Sequence, residues 1–361
     1  ILGFPQAIGV PIVSAIFFFF FQWGASLLNG NQFVVINIHN IEEAVRHIDF
    51  YDFLINGVIC FILTSSALKF KVSDLRSHWK PISILASIAL VLCATFFGMA
   101  LYGYQFLIGQ HVDLLVLLLL GAALGATDPI GIKGVLSSVR APHHLIVKLE
   151  GESLFNDAMC IALFMTLLNV LQGAHVTLYG ILKTLLYEIV VAIIIGWGFG
   201  QAILRILRGK HEMESLILTT ALLACGSYLV ALFAHASAPI ACVIGGLIVG
   251  NRWKEILEAR EIREVNHFWH TVEGIINSFL FTLIGLELFI LDLSISLILG
   301  GIVAFLILHA SRFAANYLSF AFFPSFRKKS YNGSLAILSW GGVRGGISLA
   351  LILAVANVPQ L

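Results

Sequence analysis

Charge is what this sequence lacks most. Only 11% of its 361 residues are Asp, Glu, Lys or Arg, against about 25% in a soluble globular domain. With 59% hydrophobic residues and a mean hydropathy of +0.96, a water-soluble fold is excluded. A formal net charge of +1 excludes the basic footprint of a nucleic-acid binder. Cysteine is sparse: Cys60, Cys93, Cys160, Cys225 and Cys242 are scattered through apolar sequence with no CxxC pair. That excludes a disulfide framework and leaves them as small packing residues. No HExxH, GxSxG or GxxxxGK[ST] string occurs, so hydrolase and phosphate-loop chemistry have no motif to stand on. There is no initiator Met and no signal peptide, and the chain opens and stops in hydrophobic sequence. It is expected to be a fragment trimmed at both ends.

What is present is hydrophobic runs. A transmembrane helix needs about 20 apolar residues. Eleven candidates lie near 8–28, 50–68, 82–104, 113–138, 150–172, 178–206, 215–234, 237–250, 267–290, 295–322 and 333–356. The fold class is therefore an all-α polytopic membrane protein, with the lipid bilayer as its first partner. Lys and Arg concentrate in alternate loops, at 69–80, 139–149, 205–214, 251–266 and 323–332. The positive-inside rule puts those loops in the cytoplasm. The mixed-charge segment 251–266 is expected to be a cytoplasmic interfacial helix linking two bundles.

Against this background, residues 127–157 stand out. Thr127-Asp128-Pro129 lies mid-span between Gly125 and Gly131, and Glu150-Gly151-Glu152-Ser153-Leu154-Phe155-Asn156-Asp157 opens the next span. An ionised acid at a bilayer centre costs about 2.5–3.5 kcal/mol, so four approach ~10 kcal/mol. Such a cost points to a cation. Asp128 falls about 22 Å into its span, and Pro129 biases it away from helical geometry. A helix broken at the midplane is how secondary transporters build ion sites.

On a helical wheel Glu150, Ser153 and Asp157 share one face, and Glu152 and Asn156 a second. The first is expected to line a cation path, with Asp157 deepest. The second is expected to orient and pair. Carboxylate, hydroxyl and carbonyl oxygen suit a hard cation, and Asp157, Ser153 and Thr127 supply them. Competition between proton and cation at one carboxylate is enough for exchange.

A second interrupted span, Ser339-Trp340-Gly341-Gly342-Val343-Arg344-Gly345-Gly346-Ile347-Ser348, corresponds to the first and points to an inverted repeat. Arg344 is expected to neutralise half-helix ends. Arg312 needs a carboxylate, and Glu152 is best placed. Elsewhere, Glu273 and Glu287 fall near the ends of their span and are expected to snorkel. Glu188 is expected to make a local hydrogen bond or sit in a lipid defect, with a functional acid as the alternative, Lys133 to snorkel or balance the acids, and His309 to be buried and neutral. His143 and His144 are expected in a cytoplasmic loop. A cation channel and an intramembrane hydrolase are the rival classes; broken helices and isolated arginines favour an antiporter.

Across nearly its whole length the chain resembles monovalent cation/proton antiporters of the NhaP and sodium/proton exchanger type. The resemblance rests on Thr127-Asp128-Pro129 and Glu152-Ser153-x-x-Asn156-Asp157. Further pieces are Ser237-Ala238-Pro239-Ile240-Ala241, Phe281-x-Leu283-Ile284-Gly285-Leu286-Glu287, Arg312 and Gly341-Gly342-Val343-Arg344-Gly345. It implies an inverted-repeat antiporter fold of twelve or thirteen spans with two unwound crossing helices. It implies a homodimer in the cell membrane, serving pH homeostasis, with an elevator-like core. Core helices would fall at 82–172 and 267–356, and scaffold helices at 1–68 and 178–250. Asp157 would be the shared cation and proton carboxylate, surrounded by Ser153, Thr127, Asp128, Glu152 and Asn156, with Glu150 nearby. A Glu152–Arg312 pair and Arg344 at the crossing would support it. The Asn156-Asp157 pair implies electroneutral exchange. No cofactor is implied. Na⁺ is the expected ion, with Li⁺ and K⁺ as alternatives. One departure is Ser65, which stands where many relatives carry an acid.

Overall fold

The computed structural model describes residues 53–127, 142–173, 178–209, 212–290, 294–322, 334–342, 344–348 and 351–352, with Val13, Ile16 and Phe20. Every regular element among them is helical. A π-turn at Phe53–Val58 leads into α1 (Ile59–Lys69), and α2 (Val72–Ile84) runs through a second π-turn, Leu85–Ala89, into α3 (Leu90–Leu107). Then come α4 (Leu114–Ala123), α5 (His143–Leu171), α6 (Leu178–Ile206) and α7 (Met213–Phe233). After α8 (Ala238–Arg252) and a 3₁₀ turn, Trp253–Glu255, follow α9 (Ala259–Ile290), α10 (Ile295–Phe322) and α11 (Ser334–Trp340).

Among the described residues, five helical stretches are long and apolar enough to cross a bilayer: Val72–Leu107, His144–Leu171, Tyr179–Ile206, Met213–Phe233 and Ile295–Ala321. Two shorter apolar helices, Ile55–Lys69 and Leu114–Ala123, accompany them. The expected run 8–28 lies almost wholly outside the described residues. At 1.5 Å per residue α4 covers about 15 Å, half a hydrocarbon core.

Local chemistry sets the ends. Asp113 caps α4, its carboxylate accepting from the Leu115 amide at 3.0 Å. Pro239 sits in the first turn of α8, where no intrahelical N–H is required. Three boundaries differ from expectation. The 69–80 "loop" is helical from Val72, kinked at His78 ahead of Pro81. Lys148, expected in a loop, lies in α5 and is buried, and His144 is on the same helix. Segment 251–266 is no separate helix: it comprises the end of α8, the 3₁₀ turn and the first turns of α9. Burial of Trp253 and Val265 pins it to the bundle.

Packing sorts the helices into two groups joined by α5. In the first, α8 packs on α1, α6 and α7. A Cβ at Gly250 would strike the α1 backbone at Leu68, one at Gly246 would strike the Ala67 side chain of α1, and one at Gly196 would strike the Ala241 carbonyl of α8. Close backbone approach at small residues is the ordinary glue between helices in lipid. In the second group α3 packs between α4 and α10, with Gly121 against the Ala94 backbone. α5 touches α2, α4 and α11 on one side and α1, α6 and α8 on the other. α9, expected with the core helices, packs chiefly on α1 and α7 of the first group.

Candidate functional site

The end of α4 frees backbone carbonyls, and three of them find side-chain donors. The Ala122 carbonyl accepts from the Gly125 amide at 2.9 Å and from the Cys160 thiol at 2.8 Å. The Gly125 carbonyl accepts from Asn156 Nδ2 at 2.8 Å. The Ala126 carbonyl accepts from Ser348 Oγ at 2.8 Å. Unpaired backbone groups are intolerable in lipid, so such a break persists only where side chains replace the lost ladder. Two donors come from α5 and the third from the other interrupted span, so the two breaks meet here.

α5 supplies two faces with different surroundings. Ser153 Oγ lies 3.1 Å from Thr127 Oγ1, and Asn156 Nδ2 also donates to Thr127 Oγ1 at 3.2 Å. All three residues are buried. Glu150, Ser153 and Asp157 line one cavity, whereas Glu152 and Asn156 line another with Arg312. The wheel separates the same two sets. Asn156 thus serves the helix break directly. Its Oδ1 is buried with no partner among the described residues.

Arg312 Nη2 donates to Glu152 Oε1 at 2.6 Å and to the Leu338 carbonyl at 3.3 Å. It therefore ties α5 to α10 and meets the C-terminal turn of α11. Gly342 lets this happen, because a Cβ there would collide with the guanidinium. Arg344 Nη1 donates to the Gly342 carbonyl at 3.0 Å, just beyond the end of α11. Asn316 Nδ2 donates to Ser339 Oγ at 3.1 Å, a second polar tie between α10 and α11. Asp128 and Lys133 lie outside the described residues, as do the side chains of Glu287 and His143.

The larger cavity, about 390 Å³, runs from Lys69, Phe70 and Glu150 in to Asp157 and Asn277. A smaller one, about 50 Å³, adjoins Thr127, Asp157 and the glycines Gly345 and Gly346. Ile62, Ser66, Asp157, Glu273 and Asn277 line both. Glu273 does not snorkel: it is 8% exposed. Its Oε2 accepts from Ser65 Oγ at 2.9 Å and from Lys69 Nζ at 2.6 Å. Where the resemblance led to an acid at position 65, a serine hydroxyl instead holds an acid from α9. One signal for Glu273 was in the sequence. His270, Glu273 and Asn277 follow the spacing of Glu150, Ser153 and Asp157, and all six line the larger cavity. His309 is half-buried rather than buried, with its ring between Phe305 and Trp340. The backbone carbonyl of Glu188 accepts from the Ser237 amide at 3.3 Å.

A family model described as sodium/hydrogen exchanger, transmembrane, matches residues 2–359. The chain belongs to this exchanger family. Among exchanger relatives, the Na(+)/H(+) antiporter NhaP of Pseudomonas aeruginosa is 34% identical over 99% of this chain and 84% of its own length. The Na(+)/H(+) antiporter NhaH of Halobacillus dabanensis is 30% identical over 87% of this chain and 78% of its own. For NhaG of Bacillus atrophaeus the figures are 30%, 87% and 59%. The solved sodium proton antiporter MjNhaP1 of Methanocaldococcus jannaschii superposes with a TM-score of 0.72 at 19% identity, over 97% of this chain and 85% of that one. The exchanger fold is thereby shared.

Proposed function

We propose that the protein is a secondary antiporter exchanging Na⁺ for H⁺, with Asp157 binding the two in turn. One observation carries the proposal: Asp157 lines both cavities and stands beside the hydroxyls of Ser153 and Thr127 at a helix break. A carboxylate flanked by hydroxyl and carbonyl oxygen offers a hard monovalent cation its preferred ligands. Protonation removes that charge and with it the cation. Asp128, Glu152 and Asn156 complete the surroundings, Glu152 as the counter-charge of Arg312 and Asn156 as the tie to the break. Arg344 and Glu150 are supporting charges. The names of the relatives add that Na⁺ and H⁺ are handled by proteins of this sequence type.

In this proposal exchange is one for one, as the resemblance through the Asn156-Asp157 pair implies. The α3–α5 and α10–α11 helices form the moving body of an elevator and α1 and α6–α8 the fixed one. In this reading α9, which packs on α1 and α7, stays with the fixed body. The working unit is a homodimer in the cell membrane. Li⁺ and K⁺ are alternative substrates that a cation series ranks.

The test is a proteoliposome assay with an imposed pH gradient and an internal pH dye. Cation-driven dequenching that resists a protonophore is expected, and Asp157→Asn is expected to abolish it. Wild-type exchange in that variant, or a conductive cation current in the wild type, overturns the proposal.

A further inference from the structure

The Lys69–Glu273 pair sits in the wall of the path. Glu273 lines both cavities that Asp157 lines, and Lys69 lines the larger one. Lys69 ends α1 and keeps 32% of its side chain exposed, while Glu273 is nine-tenths buried. Among the described residues, the bonds to Glu273 from Ser65 and Lys69 both fall on Oε2. Ser65 Oγ also bonds the Trp269 carbonyl at 3.2 Å, one turn back along α9. The carboxylate is thus fixed by a buried serine, whereas its counter-ion is a flexible, hydratable ammonium on a four-carbon stem.

An ammonium is itself a monovalent cation. Seated 2.6 Å from a carboxylate in a cavity that leads to Asp157, it fills the position a transported cation would fill. A pair built only for stability gains little when one partner stays solvated.

We infer that Glu273 is a second, affinity-setting carboxylate of the cation path, and that the Lys69 ammonium is its tethered competitor, displaced by the incoming ion. The inference rests on the antiport proposal above. Glu273 hands the cation on to Asp157 and does not carry the exchanged proton. The other charged or titratable groups lining the larger cavity are Glu150, Asp157 and His270. Removing Lys69 frees Glu273 for the cation, and neutralising Glu273 removes a charged ligand, so the two changes act in opposite directions.

The experiment measures the KM for Na⁺ in proteoliposomes for the full chain and three variants. Glu273→Gln is expected to raise KM about tenfold with turnover retained, the scale of one charged contact. Lys69→Met is expected to lower KM by about threefold through loss of the competitor. In the double variant KM should equal that of Glu273→Gln, since Lys69 acts only through Glu273. Na⁺-dependent shifts in melting temperature of the purified proteins supply the same ranking for any variant that binds without transporting. Equal-direction effects, or loss of stability with an unchanged KM, make the pair purely structural and overturn the inference. So does a Lys69→Met effect that persists without Glu273, which would be a long-range field. If wild type exchanges and Asp157→Asn does not, such results sink this inference alone. An inactive wild type sinks the antiport proposal with it.

Discussion

Arg312 meets two needs through one nitrogen: Nη2 serves both Glu152 and the Leu338 carbonyl. Removing one member of a buried pair strands the other, at about 3–5 kcal/mol, whereas replacing both with apolar residues is often neutral. Arg312→Ala is therefore expected to lower the melting temperature in detergent sharply. Arg312→Leu combined with Glu152→Leu should lose less than the single change. The partner of Arg312 was legible in the sequence, because an isolated arginine at membrane depth demands an acid and Glu152 faces away from the path. The partners of Glu273 were not. Lys69 lies 204 residues away, and distance from a span's end says nothing about what packs over it. α9 also begins well before the apolar run, at Ala259, so Glu273 is more than three turns into a helix rather than at its margin.

At the scale of the element, the end of α4 is held by side chains from elsewhere in the chain. Ser348→Ala leaves the Ala126 carbonyl without the only donor found for it among the described residues. A buried group stranded in this way costs about 1–3 kcal/mol, so a lower melting temperature is expected. Retained stability would show the tie to be incidental. Gly342→Ala is expected to be worse than its size suggests, because the new methyl would displace the Arg312 guanidinium rather than fill space. Thermal unfolding of Gly342→Ala beside the harmless control Gly198→Ala, where a Cβ meets nothing within 4 Å, isolates this effect. The place of each break could be read from Gly and Pro. Its caps could not, since Asn156, Cys160 and Ser348 donate across 31, 38 and 222 residues. Loop lengths misled for a related reason: polar residues of 69–80 and 139–149 were counted as loop, yet helices extend past the apolar core wherever their polar turns find water or a partner.

At the scale of the whole molecule, the sequence assigns its basic loops to one side of the membrane, and Lys69, from the first of them, lines the larger cavity. Lys254 is exposed on the turn after α8. Lys254→Cys is expected to react with a membrane-impermeant maleimide in inside-out vesicles and not in right-side-out ones; the reverse result would invert the topology. The two cavities that Asp157 lines share five wall residues, and this has an electrical consequence. A water-filled vestibule carries the potential of the bath to its floor, so the membrane voltage falls over the thinner remainder of the protein. One elementary charge crossing the full drop gains about 2.3 kcal/mol per 100 mV, and a carboxylate at that floor stands where the drop is steepest. Even with no net charge moved per cycle, the separate binding and release steps at Asp157 would feel the voltage.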